Sequence, residues 1–314
     1  MIAFGPVPSR RLGMSLGINN IASRKVCSYS CIYCQIGLTK EQSNTRTTFY
    51  KPAVLIEEVS NHLKKLKPGY QPDYMTFVTN GEPTLDINLG AEIRLLKQFG
   101  IPIAVITNSS LMFNSQVRAE LMEADWVSVK VDSTDEATWR DINQPVKDLN
   151  LNDILKGIEA FSKTFKGKLY TETMMVSGVN DEPGQISQTA TFIATLHPQM
   201  SYISIPIRPP AVKSVKAPAE EKLVTAWQTY SNFGIQTEML TGFEGTETGF
   251  TGNAYDDILN ISAVHPIRED TLAQLLNHDN AGINVVHSLI RQGLIKEVPF
   301  NGKNFYIRKL HQAK

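Results

Sequence analysis

Strand-like and helix-like segments alternate along most of this chain, and that alternation restricts its fold more than any other feature. Ile56, Val59, Leu63 and Leu66 share a helical face, so Ile56–Leu66 is expected to be a helix. Helices are likewise expected over Leu89–Phe99, stopping at Gly100, and over Gln116–Glu123, Ile154–Phe165, Ile186–Leu196 and Ala219–Phe233. Strands are expected at about Met14–Asn19 and at Tyr74–Val78, Ile103–Ile106, Trp126–Val131, Leu169–Val176 and Tyr202–Ile207. Strands separated by helices of this length imply parallel βαβ units. Six units are too few for a closed eight-fold barrel. The chain, 314 residues long, has room for such a core and a small satellite domain.

The strands carry a second signal. Val127, Val129 and Val131 share one face of their strand, while Ser128, Lys130 and Asp132 share the other. Ile203, Ile205 and Ile207 lie opposite Ser204, Pro206 and Arg208, and Glu172 falls with Tyr170 and Met174. An ordinary parallel sheet is apolar on both faces. Here one face suits packing under helices. The other is either solvated or lines a lumen, where buried charges need partners. On this reading Lys130, Glu172 and Arg208 point into the lumen. Lys130 could hold an anion, act as an amine nucleophile if burial lowered its pKa, or simply pair with Glu172.

All three cysteines fall in one stretch, Cys27-Ser-Tyr-Ser-Cys31-Ile-Tyr-Cys34. A disulfide framework is a poor fit: the count is odd, the chain is long, and Met1-Ile-Ala-Phe-Gly-Pro has neither the basic start nor the apolar core of an export signal. A structural zinc site wants four closed ligands, and the nearest downstream histidine is His62. Soft thiolates suit zinc and iron–sulfur clusters alike, so ligand type leaves the choice open. Three thiolates with no fourth cysteine leave one coordination position open, as catalytic metal sites do.

The spacing Cys27-x3-Cys31-x2-Cys34, with Tyr33 before the last cysteine, resembles the signature of the radical S-adenosylmethionine (radical SAM) superfamily. The resemblance implies an α/β fold built as a partial (β/α)6 barrel. It implies a [4Fe-4S] cluster held by Cys27, Cys31 and Cys34. It further implies SAM bound on the fourth iron, with Tyr33 beside the cofactor. Gly81-Glu-Pro-Thr-Leu85 is similar to the superfamily's Gly-Gly-Glu motif, with Asn80 in place of the first glycine. By that likeness Gly81 and Glu82 hold the SAM amino group, Gly81 by allowing close backbone approach. Thr107, Asn108 and Asp132, with Glu172 and Arg208, end or line strands on the side where α/β barrels place their chemistry. They are expected to contact SAM or substrate, and Lys130 is the candidate catalytic residue.

Residues 1–240 resemble one branch in particular, that of the enzymes building the tricyclic wyosine base of tRNA. The matching stretches are Phe4-Gly-Pro-Val-Pro-Ser-Arg-Arg-Leu-Gly13, the cysteine loop, Gly81–Leu85, Ile142-Asn143 with Pro145, Gly178-Val-Asn180 and Arg208-Pro-Pro210. Wyosine synthases use a second cluster, and no cysteine is left here to hold one. The expected enzyme has one cluster and makes a 5′-deoxyadenosyl radical that abstracts a hydrogen atom. A low-potential donor, flavodoxin or ferredoxin, is its expected electron source.

The last sixty or so residues are expected to form a separate module. Thr241–Asn253 holds four glycines, and residues 241–255 read as a linker or lid. In residues 256–314, helices are expected at Asp256–Ile261, Glu269–Leu276 and Ile283–Gln292. Leu294–Val298 and Phe305–Leu310 are expected to pair about Asn301-Gly302. That order is a winged helix-turn-helix. Arg291, Lys296, Lys303, Arg308, Lys309 and Lys314 make it basic, so it could read RNA, with a tRNA base as substrate. Equally, it could dock a peptide or protein. The chain as a whole has 31 basic and 31 acidic residues, which argues against broad non-specific nucleic-acid binding. No apolar run approaches the length of a membrane span, and reduced thiols point to the cytoplasm.

Overall fold

A computed structural model of the chain describes residues 2–21 and 24–309. Its first elements are β1 (Ala3–Ser9), β2 (Gly13–Ile18), the short strands β3 (Val26–Cys27) and β4 (Glu41–Gln42), and α1 (Pro52–Lys65). The alternation then runs β5 (Tyr74–Phe77), α2 (Leu89–Leu96), β6 (Ile103–Thr107), α3 (Ser115–Leu121) and β7 (Trp126–Lys130). It continues through α4 (Glu136–Asn143), α5 (Leu151–Ser162), β8 (Lys168–Met174), α6 (Pro183–Leu196), β9 (Met200–Ser204), α7 (Glu220–Asn232) and β10 (Thr237–Leu240).

Eight strands form one curled sheet in the order β1-β2-β5-β6-β7-β8-β9-β10. Only β1 runs antiparallel to its neighbour. The six expected strands occupy the middle of it in chain order, as a partial barrel requires. Two edge strands, the short strands β3 and β4, and helix α4 are additions to the sequence reading. β1 holds two prolines and a glycine, which read as loop. An edge strand tolerates them because it has fewer ladder bonds to make. β10 is four residues long and shows no alternation that a sequence pattern can catch.

The barrel wall sorts side chains as the alternation demands. Val127, Val129 and Ile203 are fully buried outward, in the same core as Ile154, Ile158 and Phe161 of α5. Inward positions form layers. At the amino-terminal end Trp126, Tyr170 and Tyr202 plug the lumen with stacked rings, their centroids 4.9 and 5.6 Å apart. Above the plug, Ser128, Glu172, Ser204 and Lys130 line a cavity of about 290 Å³. Arg208 lines it too, but not by strand alternation: β9 ends at Ser204, and Ile205 and Ile207 face the same cavity from the loop beyond.

The carboxyl-terminal elements are α8 (Ala254–Ile261), β11 (Ile267–Arg268), α9 (Glu269–His278), α10 (Asn284–Arg291), β12 (Ile295–Phe300) and β13 (Lys303–Arg308). The three strands pair antiparallel in the order β11-β13-β12. Asn301 and Gly302 both have positive φ, which a two-residue hairpin loop favours. The expected end of the last strand at Leu310, and Lys314, lie outside the described residues. This module packs on the barrel. Phe4 and Val7 of β1 share one buried cluster with Ile258, Leu272, Leu275, Val286, Leu289 and Ile295. The glycine-rich segment before it is laced down as well: the Gly249 amide bonds the Pro6 carbonyl, and a Cβ at Gly249 would lie 2.3 Å from the Pro6 ring.

Candidate active site

The cysteine loop lies across the carboxyl ends of the strands and is pinned from below. Ser30 donates its amide to the Asn143 carbonyl at 3.0 Å, and Ile32 to that of Ile142 at 3.0 Å, so the end of α4 carries the loop. This gives Ile142-Asn143 a physical role that the motif alone did not.

Each sulfur meets an N–H donor from the chain. The Asn108 amide donates to Cys27 Sγ at 3.4 Å, the Asn143 amide to Cys31 Sγ at 3.4 Å, and the Lys25 ammonium to Cys34 Sγ at 3.1 Å. Burial, reinforced by Cys31, pushes the Cys27 thiol up, and burial with Cys34 beside it pushes the Cys31 thiol up to about 11. Buried thiols of this kind ionise only against a strong cation, which a metal centre supplies. Among the described residues, no three His, Cys, Asp or Glu side chains converge as one metal ion would need. Three neighbouring thiols, each with its own donor, fit the separate corners of an iron–sulfur cluster.

The structure places Glu82 deep in the wall, with four donors. Its Oε1 accepts from Thr107 Oγ1 (2.6 Å), Thr84 Oγ1 (2.7 Å) and the Thr84 amide (3.1 Å), and its Oε2 from the Asn108 amide (2.7 Å). Burial raises its pKa, against the pull of those bonds. A carboxylate has room for about four such bonds. Glu82 therefore fastens the loop after β5 to the end of β6. Gly81 also serves packing: a Cβ there would sit 1.8 Å from the Val26 carbonyl oxygen, so the chain passes too close for any side chain. Thr107 is turned to Glu82, and Asn108 to Cys27 and Ser28.

Asp132 is as fully engaged. Tyr33 and Asn143 donate to Oδ2 at 2.5 and 2.7 Å, and the Met174 amide to Oδ1 at 2.8 Å. Asn180 donates to the Asp132 carbonyl at 2.9 Å, which accounts for the Gly178-Val-Asn180 stretch. Lys130 Nζ lies 3.0 Å from Glu172, 3.8 Å from Asp132 and 5.1 Å from the centre of the Tyr33 ring. Burial alone would lower the Lys130 pKa, but Asp132 and Glu172 outweigh it and the pKa is raised. The ammonium thus stays charged, contrary to what an amine nucleophile needs.

Several cavity residues were not singled out from sequence. Arg11 pairs with Glu172, which Ser204 Oγ also reaches at 3.0 Å. Despite burial, Arg11 and Lys130 hold the Glu172 carboxyl down at about 2. Arg208 pairs with Glu244 of the glycine-rich segment. It also donates to His265 Nε2 at 3.0 Å and to Gln35 Oε1 at 3.2 Å, one residue beyond Cys34. Burial, then Arg208, brings His265 down to about 3, so it is neutral. Val264 and His265 line the cavity with the cysteine loop, so the carboxyl-terminal module forms part of its wall. A long-range ion pair between a loop arginine and a linker glutamate leaves no mark in local sequence. The Arg-Arg pair in the first motif was the available signal.

Residues 23–189 match the signature of the Radical SAM superfamily. A UPF0026 protein of Methanocaldococcus jannaschii is 43% identical, over 98% of this chain and 96% of its own length. A radical SAM methyltransferase from Sphaerobacter thermophilus shares the fold at TM-score 0.52 and 13% identity, over 72% of this chain and 66% of that one. TYW1 with a lysine-pyruvate adduct bound aligns at TM-score 0.49 and 14% identity, over 94% of this chain and 81% of that one.

Proposed function

Because the chain belongs to the radical SAM superfamily, and within it to the UPF0026 proteins, we propose that Cys27, Cys31 and Cys34 hold the [4Fe-4S] cluster such enzymes use, as this chain's one cluster. That cluster, when reduced with SAM bound, supplies a 5′-deoxyadenosyl radical for hydrogen-atom abstraction. The observation that carries the reading is the trio of sulfurs, each with its own N–H donor, with Cys34 at the edge of a charged cavity. Asn108, Asn143 and Lys25 orient the thiolates and offset their charge. Asp132 holds Tyr33 against the loop. The Thr79–Glu82 loop is the proposed seat of the SAM amino group, with Glu82 keeping its shape. Lys130, Glu172 and Arg208 face the substrate end. A low-potential donor such as flavodoxin or ferredoxin completes the turnover. No helix among the described residues is long and apolar enough to cross a membrane.

For the substrate, we propose a molecule docked where the carboxyl-terminal module, read as a winged helix-turn-helix, meets the barrel mouth. An RNA base, in line with the wyosine branch, is one form of it. A peptide, protein or small molecule is the other, and the basic strand favours that one. Lys303 pairs with Glu269 at 3.3 Å, and Arg308 is turned inward to the Leu259 carbonyl at 3.2 Å, so fewer cations are free for phosphates. The test of the chemistry is anaerobic reconstitution. About four irons per chain are expected, with SAM cleaved to 5′-deoxyadenosine by a strong reductant and both lost in Cys31→Ala. Stoichiometric zinc with no SAM cleavage would refute it.

A further inference from the structure

The mouth of the cavity has more cations than its carboxylates can satisfy. Glu172 is shared by Arg11 and Lys130. Glu244 is shared by Arg208 and, at 3.8 Å, by Arg10. Asp132, the next carboxylate, has its bonds taken by Tyr33, Asn143 and Met174 and stands 3.8 Å from Lys130. His265, which also lines the cavity, is neutral and accepts from Arg208. Arg10 is the least satisfied of the four cations. Its Nε and Nη1 are buried without a partner, and burial lowers its pKa despite Glu244. Burying a guanidinium in this state is costly unless an anion completes it. Arg10, Arg11 and Arg208 all line the one cavity, which begins at Cys34. Guanidinium groups are planar forks matched to phosphate and carboxylate oxygens.

We propose that Arg10, Arg11 and Arg208 form a receptor for an oxyanion of the substrate, a phosphate or a carboxylate, at the barrel mouth. The proposal deepens the radical SAM reading and rests on it for what the bound molecule undergoes. The anion takes over the part of Arg10 that Glu244 leaves unpaired, and Glu244 competes with it. The tether places the substrate's reacting carbon between the arginines and the cysteine loop. Lys130, held by Glu172 and Asp132 on the wall, completes the positive field without leaving its partners.

Titration calorimetry of inorganic phosphate, and separately of acetate, into the full-length chain tests this, on cluster-free and reconstituted protein alike. Arg10→Gln should weaken the better-bound anion about tenfold, the scale of one charge-assisted bond. Glu244→Gln should instead tighten it several-fold, since it removes the competitor. A fold damaged by either change could only weaken binding, so the opposite signs separate the proposal from misfolding. Tighter phosphate than acetate marks a phosphorylated substrate, and the reverse a carboxylate. Binding of neither anion, or binding that Arg10→Gln and Glu244→Gln leave unchanged, overturns the proposal. It also falls if Arg10→Gln weakens SAM binding as much as anion binding, because the cations would then serve the SAM carboxylate. Loss of the radical SAM reading would show separately, as no iron and no SAM cleavage with anion binding intact.

Discussion

The Tyr33 hydroxyl donates to the Asp132 carboxylate across 2.5 Å, joining the cysteine loop to the end of β7. The same carboxylate oxygen takes the Asn143 amide, which also donates to Cys31 Sγ and the Tyr33 hydroxyl. One buried acid thus fixes the loop, the end of α4 and the start of β8's carboxyl-terminal turn. Tyr33→Phe removes one donor and should cost about 1 kcal/mol of stability, while Asp132→Ala orphans three and should cost more, about 2–4 kcal/mol. Denaturant unfolding of the cluster-free protein measures both. Equal costs would contradict the hub.

Asn108 and Asn143 each donate to a cysteine sulfur at 3.4 Å. Hydrogen bonds to cluster thiolates favour the reduced, more negative state. Asn143→Leu and Asn108→Leu should therefore each lower the midpoint potential of the reconstituted cluster, with iron content retained. Potentiometric titration followed by electron paramagnetic resonance reads the shift. An unchanged potential in both would place these amides outside the cluster's reach.

Glu82 is built into the wall with four donors, so Glu82→Ala is expected to destabilise the chain by about 2–4 kcal/mol through the orphaned groups. SAM binding should weaken too, because the Thr79–Glu82 loop loses its brace, while the cysteine loop still assembles its cluster. Glu82→Gln keeps part of the network and should fall between. Normal stability and SAM affinity in Glu82→Ala would refute the bracing role.

Glu92 of α2 is buried, with Asn20 donating to Oε2 at 3.2 Å and Oε1 unpartnered. Burial, then Asp86 nearby, raises its pKa from 4.5 to about 8. The folded state holds this proton more tightly than the unfolded state, so stability conferred by the neutral form is lost as pH climbs from about 4.5 through about 8. Glu92→Gln mimics the neutral acid and should flatten that decline. Unfolding measured at pH 5 and pH 8.5 decides it: an undiminished difference in the variant would assign the decline elsewhere.

The module at the carboxyl end shares a buried cluster with Phe4 and Val7 and lines the cavity through Val264 and His265. Deleting residues 256–314 should therefore expose apolar surface on β1 and open the mouth. The expected result is a lower melting temperature and water access to the cavity, with reductant-driven SAM cleavage impaired as well as substrate turnover. A truncated chain that melts like the full one would show that the module is an independent satellite.

The central six strands, six of the flanking helices and the hairpin at Asn301-Gly302 were legible in the sequence. Each depends on local periodicity or turn chemistry, which neighbouring residues specify among themselves. The cysteine spacing was legible for the same reason. Helix α4 was missed because its eight residues carry only a short apolar face, and β1 because its prolines read as loop. The use of the site residues was not legible either. That Gly81 packs on Val26, and that Glu82 bonds Thr84, Thr107 and Asn108, came only from the fold.

Lys130 shows the same division. Its place on the inward face followed from the two-residue period of a strand. Its charge state followed only from Glu172 and Asp132, one of them on another strand. Sequence by itself determined the parallel barrel, the inward polar face and the three thiols in one loop. Tertiary structure alone decided which buried charges are paired, that Arg10 is left short of a partner, and that Glu244 and His265 reach the barrel mouth. The physical reason is range. Helices, strands and turns are set by bonds and packing within a few residues, whereas the energy of a buried charge depends on whichever distant groups the fold brings within a few ångströms.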